Sequence, residues 1–258
     1  MSGHGHFTRA SLTTDGWSSA GVCPLSFDAR GICHALLGEE EVGGGGRRSH
    51  RVFSDFGGRR EASDSSPEET AARECTEESL GSVFGPIATL IAILKDPSLS
   101  SSIVHKFPNG SSYHQFFALC HFWAAEPATF KCSLDSQAHR PARGAEKQSI
   151  MWIPLKAIIE AATRQGIRNS IVWHGRQRIR LRSCFSRSVC LAVQDSTNKS
   201  LLSLIQNGRA SYLASLPKPL PLPDLTSFGG TSQDLVDPLL YSRSMSYALS
   251  LLSQPPMR

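Results

Sequence analysis

Three carboxylates, Glu74, Glu77 and Glu78, recur at i, i+3 and i+4 in a stretch that nothing breaks between Pro67 and Leu80. On a helix this spacing places them on one face, with Cβ atoms about 5–6 Å apart. Like charges so placed repel by roughly a few tenths of a kcal/mol per pair. Arg73 reaches Glu77 at i+4, while Glu74 and Glu78 have no cation at i±3 or i±4. A hard divalent cation turns that repulsion into binding, because Mg²⁺ and Mn²⁺ take oxygen ligands and let substrate phosphates complete the shell. The competing reading of the same three acids is an ordinary solvated helix face.

The flanking residues say how the acids are positioned. Ser66 suits an N-cap, Pro67 the first helical position, Glu69 completes a Ser-x-x-Glu capping box, and Gly81 supplies a stop. Ala72, Cys75 and Ser79 fall on the opposite side, small enough to pack on a sheet. Upstream, Val52 to Phe56 reads as a short strand delivering a Gly57-Gly58 turn, where the backbone can bend sharply and approach a ligand. Arg59 and Arg60 beside that turn suit substrate phosphates, or else face solvent as loop arginines.

Gly-Gly, an acid-containing loop and Arg-Glu-Cys-Thr-Glu-Glu with a glycine soon after together resemble the box of the Nudix hydrolases. Gly58, Arg73, Glu74, Cys75, Glu77 and Glu78 match that family's pattern. The loop between Gly58 and Arg73 is one residue longer than the pattern, so Glu61 and Asp64 compete for the place of its acid. Ser79 and Leu80 precede Gly81 where the family has a single residue. The resemblance implies metal-dependent cleavage of a diphosphate joined to another moiety, by water attack on phosphorus. Glu74, Glu77 and Glu78 then form the metal-binding and base set, with Glu78 the central ligand and Arg73 orienting Glu77 and the loop. It also implies Mg²⁺ or Mn²⁺ as cofactor and a small-molecule diphosphate as partner, with capped RNA within reach of the same chemistry. The altered ends of the box favour an alternative: a catalytically silent Nudix-like module that binds a nucleotide metabolite or a protein partner.

Composition narrows the field. The chain has 258 residues and a net charge of +5, too small and scattered to argue a nucleic-acid binder. No apolar run approaches the roughly 18 residues of a membrane helix, and the first residues lack the apolar core of a secretory signal. Seven cysteines, an odd count without Cys-x-x-Cys, suggest free thiols in a reducing compartment, hence the cytoplasm, with organellar targeting as the other option.

In chain order, residues 1–18 read as a disordered lead. Strands follow at Ala20–Phe27 and Ile32–Leu37, and Glu39-Glu40-Glu41 with Gly43–Gly46 as a flexible loop. After the acid helix come an apolar helix at Ile87–Lys95 and two aromatic-rich strands flanking Asn109-Gly110, a strong hairpin signal. Residues 126–148 read as a long loop, Ser149–Leu155 as a strand containing Trp152-Ile-Pro-Leu155, and Leu155–Gln165 as an amphipathic helix. Residues 177–194 show roughly helical spacing, with Arg176, Arg178, Arg180 and Arg182 on a solvated face. The Ser/Leu/Pro-rich stretch 196–258 reads as a largely disordered tail, which leaves one domain at 19–195. The order of elements predicts an α/β/α sandwich with a mixed sheet and the box helix packed on it. Glu146, ahead of Trp152, is a further candidate metal ligand, or a solvated loop acid. His105, His114 and His121 read as structural histidines, and Trp152, Phe116 and Phe117 as core.

Overall fold

A computed structural model describes residues 17–42, 50–107, 110–120, 127–128, 130–131, 134, 147–164, 170–195 and 200–215. The strands β1 (Ser19–Phe27), β2 (Cys33–Val42), β3 (His50–Ser54), β4 (Phe56–Arg59), β5 (Ser100–Lys106), β6 (Ser112–Leu119) and β7 (Ser149–Pro154) form one mixed sheet. Only β1 and β6 run parallel; every other pair in it is antiparallel. A separate hairpin joins β8 (Ile171–His174) to β9 (Gln177–Arg180). Helices α1 (Pro67–Glu78) and α2 (Ile87–Lys95) build one apolar core with Val22, Leu36, Phe56 and Phe116. On the other face α3 (Leu155–Arg164), α4 (Ser183–Gln194) and α5 (Leu201–Ser215) close a second core around Leu25, Leu37, Phe53 and Phe117. Strand alternation sends neighbouring residues to opposite faces, and so one sheet serves both cores. The result is the expected α/β/α sandwich.

The sheet forks beside the acid helix. The first half of β1 pairs β4 through Ser19–Val22, and its second half pairs β2 through Leu25–Phe27. Beyond Ala35, β2 pairs β3 instead. Asp55 therefore sits where the chain leaves β2 to join β1.

Helix α1 begins as its sequence predicts. Ser66 is extended (φ −144°) and its hydroxyl accepts from Glu69 N at 3.2 Å. Glu69 reaches one residue further back than a capping box requires, accepting from Ser65 N and Ser65 Oγ at 2.8 and 2.7 Å. At the other end Gly81 N donates to Thr76 O at 2.8 Å, and Leu80 (φ 55°) shares the left-handed conformation with Gly81 (φ 69°). That absorbs the extra residue, at a steric cost of roughly 1–2 kcal/mol for a non-glycine residue.

Four expectations change. Gly57 and Gly58 make no turn: they lie in β4, opposite Gly21 and Ala20 of β1. A Cβ on Gly57 would meet Gly21 Cα at 2.5 Å and Ala20 O at 2.7 Å, so glycine is needed for close strand approach rather than for bending. Glu39–Glu41 belong to β2, which runs on to Val42, because β3 offers them a pairing edge. Residues 177–180 form a strand and only 183–194 a helix, since Ile179 needs the pairing with Val172 to enter the core. Beyond residue 195, Leu201 and Leu204 of α5 are buried in the same core as α3 and α4. Pro108, Asn109, His121, most of 126–146 and the chain from 216 onward lie outside the described residues. None of the described helices is long and apolar enough to cross a membrane.

Candidate active site

Each acid of α1 has its own surroundings. Glu78 is buried, 2% exposed, and its Oε2 accepts the Gly57 N–H at 2.7 Å. Glu74 lies against Gly58, where a Cβ would meet Glu74 Oε1 at 2.5 Å, and it accepts from Arg73 Nη1 at 2.9 Å. Glu77 is half exposed and takes a 3.4 Å contact from the same nitrogen. The Gly-Gly strand and the acid helix thus touch through two carboxylates, Glu78 at the Gly57 N–H and Glu74 in the space that Gly58 leaves.

Arg73 ties the loop to the helix. Its Nε and Nη2 hold Asp64 Oδ1 and Oδ2 at 3.3 and 3.0 Å, and Nη2 also donates to Arg59 O at 2.8 Å. Asp64 is buried and also accepts from Glu61 N at 2.8 Å and Thr70 Oγ1 at 3.0 Å. These donors hold its carboxyl below the usual range despite burial. Glu61, largely exposed, stands 3.7 Å from Arg73. Of the two competing loop acids, Asp64 makes the bidentate grip and Glu61 lies at the rim.

Sequence reasoning missed a second cation. Lys147 is 1% exposed, with Nζ 3.6 Å from Glu78 Oε1, 3.3 Å from Glu40 Oε2 and 2.9 Å from Ser54 Oγ. Arg182 Nη1 holds Glu40 Oε1 at 3.0 Å. Asp55, also buried, accepts from the Tyr113 hydroxyl. Burial pushes Asp55 up, and it pushes Glu78 up to about 8 against the opposing pull of Lys147 and the Gly57 N–H. Helix spacing sees only i±3 and i±4, so it finds neither the i−1 contact of Arg73 to Glu74 nor a lysine from a distant loop. The acid repulsion that suggested a metal is thus partly relieved by Arg73 and Lys147.

The remaining candidates divide. Arg60 stacks over the Trp17 ring at 3.9 Å and donates to Asp64 O at 3.3 Å, which commits it to the loop. Arg59 is exposed at the end of β4, next to Gly58. Glu146 lies outside the described residues. His105 is buried against Phe107 with a ring-centroid distance of 4.4 Å, and Phe116, Phe117 and Trp152 are core.

Two observations fit a hard divalent ion here. Glu78 Oε1 is a buried carboxylate oxygen with no hydrogen bond among the described residues, and Gly58 leaves room for the Glu74 carboxylate beside the strand. Among the described residues no three ligand side chains converge on one point, because Arg73 draws Glu74 and Glu77 toward the loop while Glu78 faces inward.

No family model matches the chain, and no curated protein matches it. Among solved structures, it is similar to a C. elegans Ap4A hydrolase in a binary complex at 15% identity, covering 55% of this chain and 82% of that one with a TM-score of 0.31. A MutT/nudix family protein from Enterococcus faecalis matches at 10% identity and TM-score 0.34, over 66% of this chain and 53% of that one. NrtR of Shewanella oneidensis, complexed with a 27mer DNA, matches at 10% identity and TM-score 0.34, over 76% of this chain and 62% of that one. The chain spans about half the length of the Enterococcus protein. A glycine-paired strand, an acid helix docked on it by Glu74 and Glu78, and an arginine clasp from loop to helix thus come together on the mixed sheet of an α/β/α sandwich.

Proposed function

We propose that the chain hydrolyses a diphosphate linkage in a nucleoside diphosphate derivative or a related organic pyrophosphate, with Mg²⁺ or Mn²⁺ as cofactor. The observation that carries this reading is Glu78 Oε1, buried without a hydrogen bond while Oε2 is pinned to Gly57 N. A carboxylate so held is preorganised as a ligand, since one oxygen fixes its orientation and the other stays available. A divalent ion held by these acids would supply charge neutralisation for the diphosphate and activation of the attacking water. Glu74, at Gly58, and Glu77, at the rim, are the acids placed to share ligation or take the proton of that water. Arg73 keeps loop and helix in register, and the exposed Arg59 is the cation we assign to substrate phosphate.

The test is phosphate or nucleotide release from a panel of nucleoside diphosphate derivatives, dinucleoside polyphosphates and capped RNA with Mg²⁺, for wild type and Glu78→Gln. Turnover by wild type that falls about 10²–10⁴-fold in the variant supports the reading. A second reading is a silent binding module, favoured by the contacts from Arg73 and Lys147 that relieve the helix acids without any metal. Ligand binding without turnover in either protein would establish that reading instead.

A further inference from the structure

We infer that Lys147 is a resident cation of this site: its ammonium faces Glu78 from within and limits the divalent ion's hold on that carboxylate. The inference rests on the metal-dependent reading above. Burying an ammonium costs several kcal/mol unless its donors are met, and here Ser54, Glu40 and Glu78 surround it at 2.9, 3.3 and 3.6 Å. Room for it is built in. A Cβ on Gly38 would meet Lys147 Cδ at 2.7 Å and Cγ at 2.8 Å, so β2 carries glycine where the lysine stem passes. Glu40, two residues along the same face of β2, receives the ammonium.

Charge makes the arrangement consequential. The buried acids Glu40, Asp55 and Glu78 are accompanied by Lys147 and by Arg182, whose guanidinium is already taken by Glu40. Among the described residues Lys147 is thus the cation in contact with Glu78, and their 3.6 Å separation is longer than a hydrogen bond. An ion held by Glu78 would do so against the repulsion of that ammonium. Glu74 and Glu77 contact Arg73 on the outer side, so the inner acid faces one protein cation and the outer pair another. Lys147 acts through Glu78 and is a positioning residue. It sets how strongly and how many divalent ions the acid helix holds.

Mn²⁺ titration of the full chain by calorimetry and by electron paramagnetic resonance tests this without reference to turnover. Lys147→Met should bind Mn²⁺ about ten-fold more tightly than wild type, or take up an additional ion, within the usual range of coupling between neighbouring sites. Glu78→Gln added to Lys147→Met should cancel the gain. Gly38→Ala, which keeps the lysine but crowds its stem, should shift affinity in the same direction and decides the matter if Lys147→Met does not fold. Equal or weaker Mn²⁺ binding in the folded variant overturns the inference while the hydrolase reading stands on wild-type binding. Absence of Mn²⁺ binding in every protein overturns both.

Discussion

Arg73 and Asp64 are joined through two nitrogens and both carboxylate oxygens, at 3.3 and 3.0 Å, and this clasp connects the loop after β4 to the acid helix. Both partners are mostly buried, with side chains 15% and 5% exposed. Asp64→Ala should therefore cost about 2–3 kcal/mol, from lost charge-assisted bonds and a guanidinium left with weaker partners. Glu61→Ala, at 62% exposed and 3.7 Å away, should change stability by less than about 0.5 kcal/mol. Chemical denaturation of both variants checks this. Equal effects would reassign the loop acid.

The two box glycines should fail in different ways. On Gly57 an alanine meets backbone, Gly21 Cα at 2.5 Å and Ala20 O at 2.7 Å, with Tyr113 on a third side. Backbone of a paired strand cannot yield cheaply, so Gly57→Ala should lose about 1–3 kcal/mol or more. On Gly58 the obstacle is the Glu74 carboxylate, the end of a side chain that can swing away. Gly58→Ala should keep most of its stability and lose Mn²⁺ affinity. Thermal unfolding beside Mn²⁺ titration separates the two outcomes.

Much of this site was legible in the chain. Ser66, Pro67 and Gly81 bound α1 because caps are local, and i, i+3, i+4 spacing puts the acids on one side wherever the helix docks. Glu40 and Lys147 were not legible. Glu40 looks like the middle of an acidic loop until β3 pairs with β2, and Lys147 is a lone lysine ahead of β7 until Gly38 admits its stem. Such long-range pairing leaves no periodic trace. The Gly-Gly pair misled for the same reason: glycine marks a turn or a tight strand contact alike, and only Gly21 opposite Gly57 decides.

The raised Glu78 carboxyl sets a pH dependence for metal binding. With its pKa pushed up to about 8, the group carries a proton at neutral pH that an ion must displace. Mn²⁺ affinity should rise with pH and level off near 8, and Glu78→Gln should flatten the slope. The sign for stability is opposite. A carboxyl raised above the ordinary 4.5 contributes stability that is fully present below that value and lost as pH climbs through about 8. Melting temperature in metal-free buffer should therefore fall toward pH 8, and Mn²⁺ should offset that fall.

Tyr113 and the buried Asp55 form a polar contact at the fork of the sheet, and they separate charge from hydrogen bonding. Tyr113→Phe leaves a carboxylate oxygen of Asp55 without that donor, which costs about 1–3 kcal/mol for a buried group. At roughly 2–4 °C per kcal/mol for a domain of this size, several degrees of melting temperature should be lost. Burial raises Asp55 and the tyrosine hydroxyl lowers it, so removing the hydroxyl raises it further. Stability tied to a raised carboxyl is present below its ordinary value near 3.8 and lost with rising pH. The deficit of Tyr113→Phe should accordingly widen as pH rises. Asp55→Asn keeps a hydrogen-bonding partner for Tyr113 and removes the buried charge, so its deficit should shrink as pH rises. Parallel slopes for the two variants would show that Asp55 titrates alike in the folded and unfolded protein, which overturns the raised carboxyl.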